Sequence, residues 1–234
     1  MDKVKGYVVY EGASLFDGKP IVGIVTMETK NKKTGQMAQL WIMRSDVEPH
    51  IAIKTGEDQS VCGGCDHRPA KNGTCYVTVH QAPLSVYRAY KRGRYSSRSI
   101  DLSGYELRVG AYGDGAMIPP EVLDPLVESA KSNTGYSHQW KNKRLSHALK
   151  HSQASVDSIR EALEFKRRFP TGKYFRVTHD ISDIMDNEME CLADSKGITC
   201  KECMKCDGKT QDIVIQVHGS KASKFKPEID IMEI

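Results

Sequence analysis

The sequence has no long apolar run. No window approaches the roughly eighteen consecutive apolar residues of a membrane span. The opening residues, MDKVK, lead into no apolar stretch of the kind found in a signal peptide. We therefore expect a soluble protein of the cytoplasm with no membrane partner. Its oligomeric state is not indicated.

A strong surplus of charge is also missing. The formal net charge is +4 and the pI is about 8.6, which permits an acidic partner such as nucleic acid but does not require one. By contrast, 39% hydrophobic residues in a chain of 234 are enough to build a full core. The composition predicts one folded domain with an appended element and excludes a chain that is disordered as a whole.

Cysteine is absent from the middle of the chain. An odd total of seven in a reducing compartment argues against a disulfide framework. Polar residues and glycines surround the cysteines, so we predict metal or iron–sulfur ligands rather than thiols packed in a core. The first group is Cys62, Cys65 and Cys75, and the second group is Cys191, Cys200, Cys203 and Cys206.

The second group places three thiolates in one short loop, at Cys200, Cys203 and Cys206, and Cys191 can complete a set of four. Four thiolates satisfy either a tetrahedral zinc ion or a four-iron cluster. The C-x2-C-x2-C spacing is close to that of ferredoxins, although Asp207 follows it in place of their terminal C-x3-C-P.

The first group supplies only three thiolates. Gly63 and Gly64 separate the first two and let the backbone fold tightly around an ion. His67 or His80 can close a zinc site of three cysteines and one histidine. Alternatively, a four-iron cluster can keep one iron free to bind a ligand. The residues alone do not separate these two readings.

The beginning of the chain is rich in β-forming residues. A charged hairpin loop at 30–35 predicts that the strands form an antiparallel meander. A capping-box pattern from Ser45 to Glu48 then opens a short helix that stops at Gly56. We assign residues 1–58 to this N-terminal β-meander and short helix. The predicted strands are 7–10, 21–25 and 40–43.

Beyond the first cysteines, strand and helix patterns alternate. Such alternation implies a parallel sheet with right-handed crossovers. We therefore predict that residues 59–234 form a cysteine-containing α/β domain, built as a partial (β/α)6-like barrel or an open parallel sheet. The predicted strands are 76–79, 107–111, 135–137, 154–156, 174–177 and 213–217, and the predicted helices are 84–92, 121–131, 143–150 and 158–168, the last one capped by Asp157.

The predicted strands end in polar residues. All six finish on a His or an Asp within three residues. Parallel α/β folds bind ligands at the carboxyl ends of their strands. Each residue alone has a structural explanation, since Asp157 fits a helix cap and a single histidine fits a surface position. Their convergence predicts one pocket lined by Asp114, His138, His179 and His218.

Basic residues and tyrosines alternate between positions 85 and 98. In one interpretation the cations contact phosphates while the rings stack on bases. In the other, the segment is a helix whose Val86, Ala89 and Tyr90 face the sheet and whose charges are solvated. The residues of the predicted nucleic-acid track are Arg88, Lys91, Arg92, Arg94 and Arg98.

Several short motifs occur in a defined order, namely Cys75-Tyr76, Gly113-Asp114, Gly135-Tyr136-Ser137-His138, Ser155-Val156-Asp157, the second cysteine group and Val217-His218-Gly219. This order resembles the radical-SAM partial barrel, and more specifically phage proteins of the gene-product-88 type. The resemblance covers roughly residues 61–219. It implies a six-unit α/β barrel, iron–sulfur ligation and S-adenosylmethionine, in a phage or mobile-element setting and hence a host-cell cytoplasm.

The radical-SAM family differs from this chain in its cysteine spacing. The family usually presents CxxxCxxC, whereas here CxxC is followed by nine residues before Cys75. The family also places its cysteine loop after the first barrel strand, and by that criterion the first barrel strand is 40–43 rather than 76–79.

Two classes of function follow. The chain is either a radical-SAM-like iron–sulfur enzyme, with a reactive cluster on the first cysteine group and an auxiliary one on the second, or a non-catalytic zinc-binding module associated with nucleic acid. For the enzyme, we predict catalytic roles for Asp114, His138 and His179. We predict cofactor-binding roles for Gly113, Ser155, Asp157 and His218.

Overall fold

Three antiparallel strands open the chain in the computed structural model, which describes residues 6–71, 73–97, 99–219 and 221–226. They pair in chain order, as the meander prediction requires. The third strand is buried along its whole length, as expected for a central strand covered on both faces. The strands are β1 (Gly6–Ala13), β2 (Pro20–Thr26) and β3 (Ala38–Arg44).

Six parallel strands continue the same sheet. The junction is the parallel pair of β3 with the next strand, where Ala38 lies opposite Leu107. The strand order is β1-β2-β3-β4-β5-β6-β7-β9-β8, which is an open sheet and not a closed barrel. The predicted open α/β sheet with an antiparallel meander before it is confirmed. The strands are β4 (Glu106–Tyr112), β5 (Ser132–Ser137), β6 (Gln153–Val156), β7 (Tyr174–Thr178), β8 (Glu188–Glu190) and β9 (Asp212–Gln216).

Helices occupy the connections between strands. The first one ends at Gly56 in the left-handed region, at φ 80°, as predicted, although Glu48 and not Ser45 is its N-cap. The helices are α1 (Pro49–Thr55), α2 (Gln59–Cys62), α3 (Ala82–Lys91), α4 (Pro120–Glu128), α5 (Ile159–Arg168), α6 (Leu192–Ser195) and α7 (Cys200–Cys203).

The N-cap of α5 differs from the prediction. The side chain of Ser158 accepts a hydrogen bond from the backbone N–H of Glu161, so Ser158 is the cap and Asp157 is not. Asp157 is therefore free to contact another part of the chain, and this matters for the site.

The predicted strand at 76–79 is wrong. These residues form no strand, because β3 already occupies the position beside β4. The first parallel strand is therefore β3, in agreement with the alternative placement at 40–43. The predicted helix at 143–150 is shorter and tighter, a 3-10 turn at Ser146–Lys150. The three-residue β8 was not predicted, because it is too short to show a period.

Two apolar clusters hold the sheet. The larger one joins the meander to β4 and α4, and the smaller one surrounds Trp140, Phe165 and Tyr174 next to α5. Phe165 is fully buried, and such a side chain contributes about 1.5–3 kcal/mol to stability. This packing gives the loops at the carboxyl ends of the strands a rigid base. No helix in the described ranges is long and apolar enough to cross a membrane.

Candidate metal centres

The first cysteine group is gathered in one place. Cys62 ends α2, and Cys65 and Cys75 lie in the loop that follows. All three are free thiols that interact electrostatically with one another. Burial raises the pKa of each thiol, that of Cys65 to about 11. A metal bound here would displace the thiol protons, since only thiolates are ligands.

Gln139, just after β5, holds the cysteine loop against the sheet. Its Oε1 accepts a hydrogen bond from the backbone N–H of Gly64 at 3.1 Å, and its Nε2 donates to the carbonyl of Cys62 at 3.0 Å. The two bonds lie on either side of Gly63. One side chain therefore fixes the CxxC turn to the carboxyl end of the parallel sheet.

The backbone at Gly63 adopts φ 54° and ψ −129°, which disfavours a side chain. A Cβ there would lie 2.4 Å from Oε1 of Gln139. We expect Gly63→Ala to displace Gln139, to destabilise the fold by about 1–3 kcal/mol and to lower metal retention by the first centre. Thermal melting and metal analysis measure both effects.

Gly64→Ala is the matched control for that change. A Cβ at Gly64 would lie 3.8 Å from its nearest neighbour, which is ordinary contact. Its metal content and melting temperature should stay close to those of the wild type. Equal effects of the two substitutions would contradict the role assigned to the turn.

Asp114, predicted as catalytic, is a buried anchor between strands. Its carboxylate accepts hydrogen bonds from the backbone N–H of Ala116 at 3.0 Å and of His138 at 2.9 Å, and from the hydroxyl of Ser137 at 3.2 Å. Its own N–H donates to the carbonyl of Val61 at 2.8 Å. These contacts position the loops after β4 and β5 relative to α2.

A cavity of about 500 Å³ opens beside the first cysteine group. Its wall includes the thiol-bearing Cys65. It also includes three predicted site residues, namely His138 of the predicted pocket and the predicted cofactor-binding residues Ser155 and Asp157. The three belong to the carboxyl ends of β5 and β6, where a parallel sheet is expected to bind ligands. Charged residues of both signs complete the wall, namely Asp66, Lys141, Lys143 and Glu161.

Asp157 binds His67 of the cysteine loop. The Nε2 of His67 lies 3.0 Å from Oδ1 of Asp157, and its Nδ1 lies 2.5 Å from the hydroxyl of Thr74. Burial alone would raise the pKa of Asp157, but the bond with His67 brings this pKa below its usual value. Both ring nitrogens of His67 are thus engaged within the protein. The other candidate fourth ligand, His80, is exposed.

The remaining predicted site residues lie outside the cavity wall. His179 places Nε2 2.7 Å from the carbonyl of Phe225, whose ring stacks on that of His67. His218 is near Lys33, with 3.1 Å between Nε2 and Nζ. Gly113 has φ 78°, and a Cβ there would lie 2.5 Å from the carbonyl of Ile42, so this glycine serves close packing.

The second cysteine group surrounds a smaller cavity. All four of its cysteines line that cavity together with Tyr136 of β5. All four are free thiols, and burial raises the pKa of Cys206 to about 12. A capping box between Thr199 and Glu202 opens α7, which carries Cys200 and Cys203. The predicted set of four is therefore brought together in space.

The hairpin loop between β2 and β3 (residues 27–37) braces this second centre. The backbone N–H groups of Cys200 and Lys201 donate to the carbonyls of Lys33 and Thr34, each at 3.0 Å. The ammonium of Lys201 also donates to the carbonyl of Gln36 at 3.1 Å. The N-terminal meander thus contributes directly to holding the last cysteine loop.

The spacing of the thiols can be compared with the spacing of ligands around a bound metal. Within the described residues, no three cysteine sulfurs all lie within 4.8 Å of one another. Sulfurs on one tetrahedral zinc ion, with Zn–S bonds of about 2.3 Å, are about 3.8 Å apart. A four-iron cluster binds each thiolate through a different iron and so holds its ligands further apart. Neither cysteine group, as far as the structure describes it, therefore holds three sulfurs at the spacing of one bound zinc ion.

One other group of candidate ligands was not predicted. Asp124, Glu128 and His151 bring their donor atoms within 4.8 Å of one another, and the i, i+4 spacing on α4 is the signal that could have revealed them. The ammonium of Lys150 lies 2.7 Å from both carboxylates. This cation takes the place that a metal would need, so the cluster ties α4 to the 3-10 turn.

The basic segment is used partly within the fold. The guanidinium of Arg88 pairs with Glu48 at 3.4 Å. Tyr87 is buried, and the hydroxyl of Tyr90 donates to Glu11 at 2.6 Å, so neither ring is free to stack on a base. The nucleic-acid track is not supported by these contacts. Of its other members, Lys91, Arg92 and Arg94 are exposed, and Arg98 lies outside the described residues.

Two residues that shape the site were missed in the sequence. Gln139 anchors the CxxC turn, and Arg68 forms a buried pair with Asp58 at 2.7 Å that ties the cysteine loop to the start of α2. Neither residue type indicates such a role by itself. Comparisons with protein-family models, with curated proteins and with solved structures gave no match to this chain.

Proposed function

We propose that this protein is a radical-SAM-like iron–sulfur enzyme of the kind suggested by its likeness to the phage gene-product-88 type. The first cysteine group holds a reactive four-iron cluster and the second group holds an auxiliary one. The observation that carries the proposal is the position of Cys65 in the wall of a cavity of about 500 Å³, at the carboxyl ends of β5 and β6. A purely structural site has no need of such an opening.

The donor set supports iron–sulfur clusters at both groups. Each consists of thiols only, because His67 is engaged with Asp157 and Thr74. Among the residues that the structure describes, no three of the sulfurs lie as close together as around one tetrahedral zinc ion. The second group has four ligands and is closed, whereas the first has three and leaves one iron without a protein ligand. This difference gives the two centres different roles.

A three-thiolate cluster would supply the cavity with a redox-active iron that can accept an exchangeable ligand. The protein's own residues fix the cysteine loop and the cavity wall around this position. Gln139 fixes the turn that carries Cys62 and Cys65, and Asp114 fixes the loop after β5. The His67–Asp157 pair keeps a carboxylate in the cavity wall. These contacts hold the ligands and the wall in one geometry before any substrate binds.

The charges of the cavity suit a zwitterionic ligand. Asp157, Glu161 and Asp66 present carboxylates, whereas Lys141 and Lys143 present ammonium groups. S-adenosylmethionine carries an amino group, a carboxylate and a sulfonium, which match such a mixed wall. We assign Ser155 and Asp157 to its binding, and His138 to the reacting side of the cavity. His179 and His218 lie outside the wall and have no role in this proposal.

The test is the composition of protein purified without oxygen. We expect brown protein with about four irons and four sulfides per cluster, and an electron paramagnetic resonance signal that changes when S-adenosylmethionine is added to the reduced protein. Colourless protein with about two zinc ions would instead support the non-catalytic module. If clusters are present but their spectrum does not change when S-adenosylmethionine is added, the protein binds iron–sulfur clusters but does not have the proposed activity.

A further inference from the structure

Arg108 is a cation on β4 with no carboxylate partner among the described residues. It is partly buried, and its Nη2 donates a hydrogen bond to the hydroxyl of Tyr76 at 3.1 Å. The guanidinium also lies over the ring of Tyr136, 5.6 Å from its centroid. Both partners are neutral, so the positive charge of Arg108 is left uncompensated by them.

The second cysteine group would provide the missing negative charge once its thiols bind a metal. The electrostatic neighbours of Arg108 are Cys200 and Cys206, besides the two tyrosines. Tyr136, whose ring lies under the guanidinium, lines the same cavity as all four cysteines. A metal centre held by four thiolates is an anion, and it would compensate the charge of Arg108.

Lys33 provides a contrast at the same centre. It interacts electrostatically with Cys191 and Cys200, but its ammonium already pairs with Asp194 at 3.3 Å and its side chain is 41% exposed. Solvent and Asp194 therefore screen its charge. Of these two cations, Arg108 is the one that has no carboxylate partner in the described part of the chain.

We propose that Arg108 is the counter-ion of the second cysteine centre and makes this centre easier to reduce. The proposal rests on the iron–sulfur assignment made above. Reduction adds one negative charge to a centre that is already anionic, and a nearby cation stabilises the reduced form more than the oxidised form. Arg108 is thus a positioning residue that sets a reduction potential and does not touch substrate.

The test is a potentiometric titration followed by electron paramagnetic resonance. Each variant is measured in the otherwise wild-type full chain and in the full chain that also carries Cys65→Ser. Cys65→Ser is introduced to remove the first centre, so that the remaining signal belongs to the second centre. In Arg108→Met we expect the ratio of reduced to oxidised centre, measured at the wild-type midpoint, to fall about tenfold. This tenfold change corresponds to a fall of about 59 mV in the midpoint potential of a one-electron couple.

Three variants serve as controls. Arg108→Lys keeps the charge and should stay near the wild-type midpoint, and Lys33→Met should also do so. Arg108→Gln removes the charge but keeps a hydrogen-bond donor, so its midpoint should shift as expected for Arg108→Met. It replaces Arg108→Met in the comparison if that variant folds poorly. If Arg108→Met and Arg108→Gln both lose the metal of the second centre while Arg108→Lys keeps it, the role of Arg108 as counter-ion would also be supported.

Three results would overturn the proposal. A midpoint unchanged in both neutral variants, or an equal fall in Lys33→Met, would remove the role of Arg108 and leave the iron–sulfur assignment intact. Protein that holds zinc and no sulfide would overturn both proposals together. The sulfide content therefore tells the two failures apart.

Discussion

Replacing Cys203 with serine is expected to destabilise the protein by more than about 3 kcal/mol. Loss of a residue that only hydrogen-bonds to a metal ligand already lowers metal affinity 10–100-fold, and loss of the ligand itself should cost more. Cys203 belongs to the closed set of four, and the loop that carries it is braced by the hairpin loop. For a chain of this length the melting temperature should fall by about 6–12 °C. Differential scanning calorimetry under anaerobic conditions measures the change.

The comparison variant is Cys65→Ser at the first centre. Here Gln139 and the Arg68–Asp58 pair hold the loop through contacts that need no metal. We therefore expect the melting temperature to change by less than half as much, while the spectral response to S-adenosylmethionine disappears. Equal losses of stability in the two variants, with no spectral response in the wild type, would make both centres structural.

Arg68→Met is the second substitution with a large expected effect. The guanidinium makes a two-pronged contact with Asp58, at 2.7 and 3.0 Å, and donates to the carbonyl of Gly56 at 2.7 Å. The side chain of Asp58 is 1% exposed. Removal of Arg68 leaves this carboxylate buried and unpaired, which costs about 3–5 kcal/mol. Thermal melting should show the loss, and the first centre should lose metal.

Two further variants define the cause. The double variant Arg68→Met with Asp58→Asn removes the unpaired charge and should be more stable than Arg68→Met alone. Arg88→Met breaks an exposed pair with Glu48 and should cost less than about 1 kcal/mol. If Arg68→Met is no worse than Arg88→Met, the buried pair does not hold the cysteine loop.

The sheet could be predicted from the sequence because its strands are bounded by glycines, prolines and helix patterns. The segment at 76–79 misled the prediction because Val77 and Val79 alternate with polar residues as in a half-buried strand. A strand also needs a neighbour with free hydrogen-bonding groups. β3 had already taken the position beside β4, and this competition is invisible in local sequence.

The site was predictable where residue type alone limits the chemistry. Cysteines grouped among polar residues indicate metal ligands, and the structure gathers both groups. Asp157 was harder, because Asp and Ser are equally good N-caps and only the distant His67 decides that Ser158 is the cap. Gln139 could not be found, because its contact with Gly64 spans 75 positions and an amide side chain fits many roles.

The hairpin loop that braces the second centre also constrains how the chain folds during synthesis. The meander contains only local pairings and can form as soon as its residues leave the ribosome. The contact of Lys201 with Gln36, however, spans 165 positions of the sequence. Closing so long a loop is slow, and the last cysteine loop can reach the hairpin only after β4 to β7 have been made. The loop that carries Cys200, Cys203 and Cys206 therefore reaches its place late, and any metal bound there must be inserted after most of the chain has been translated.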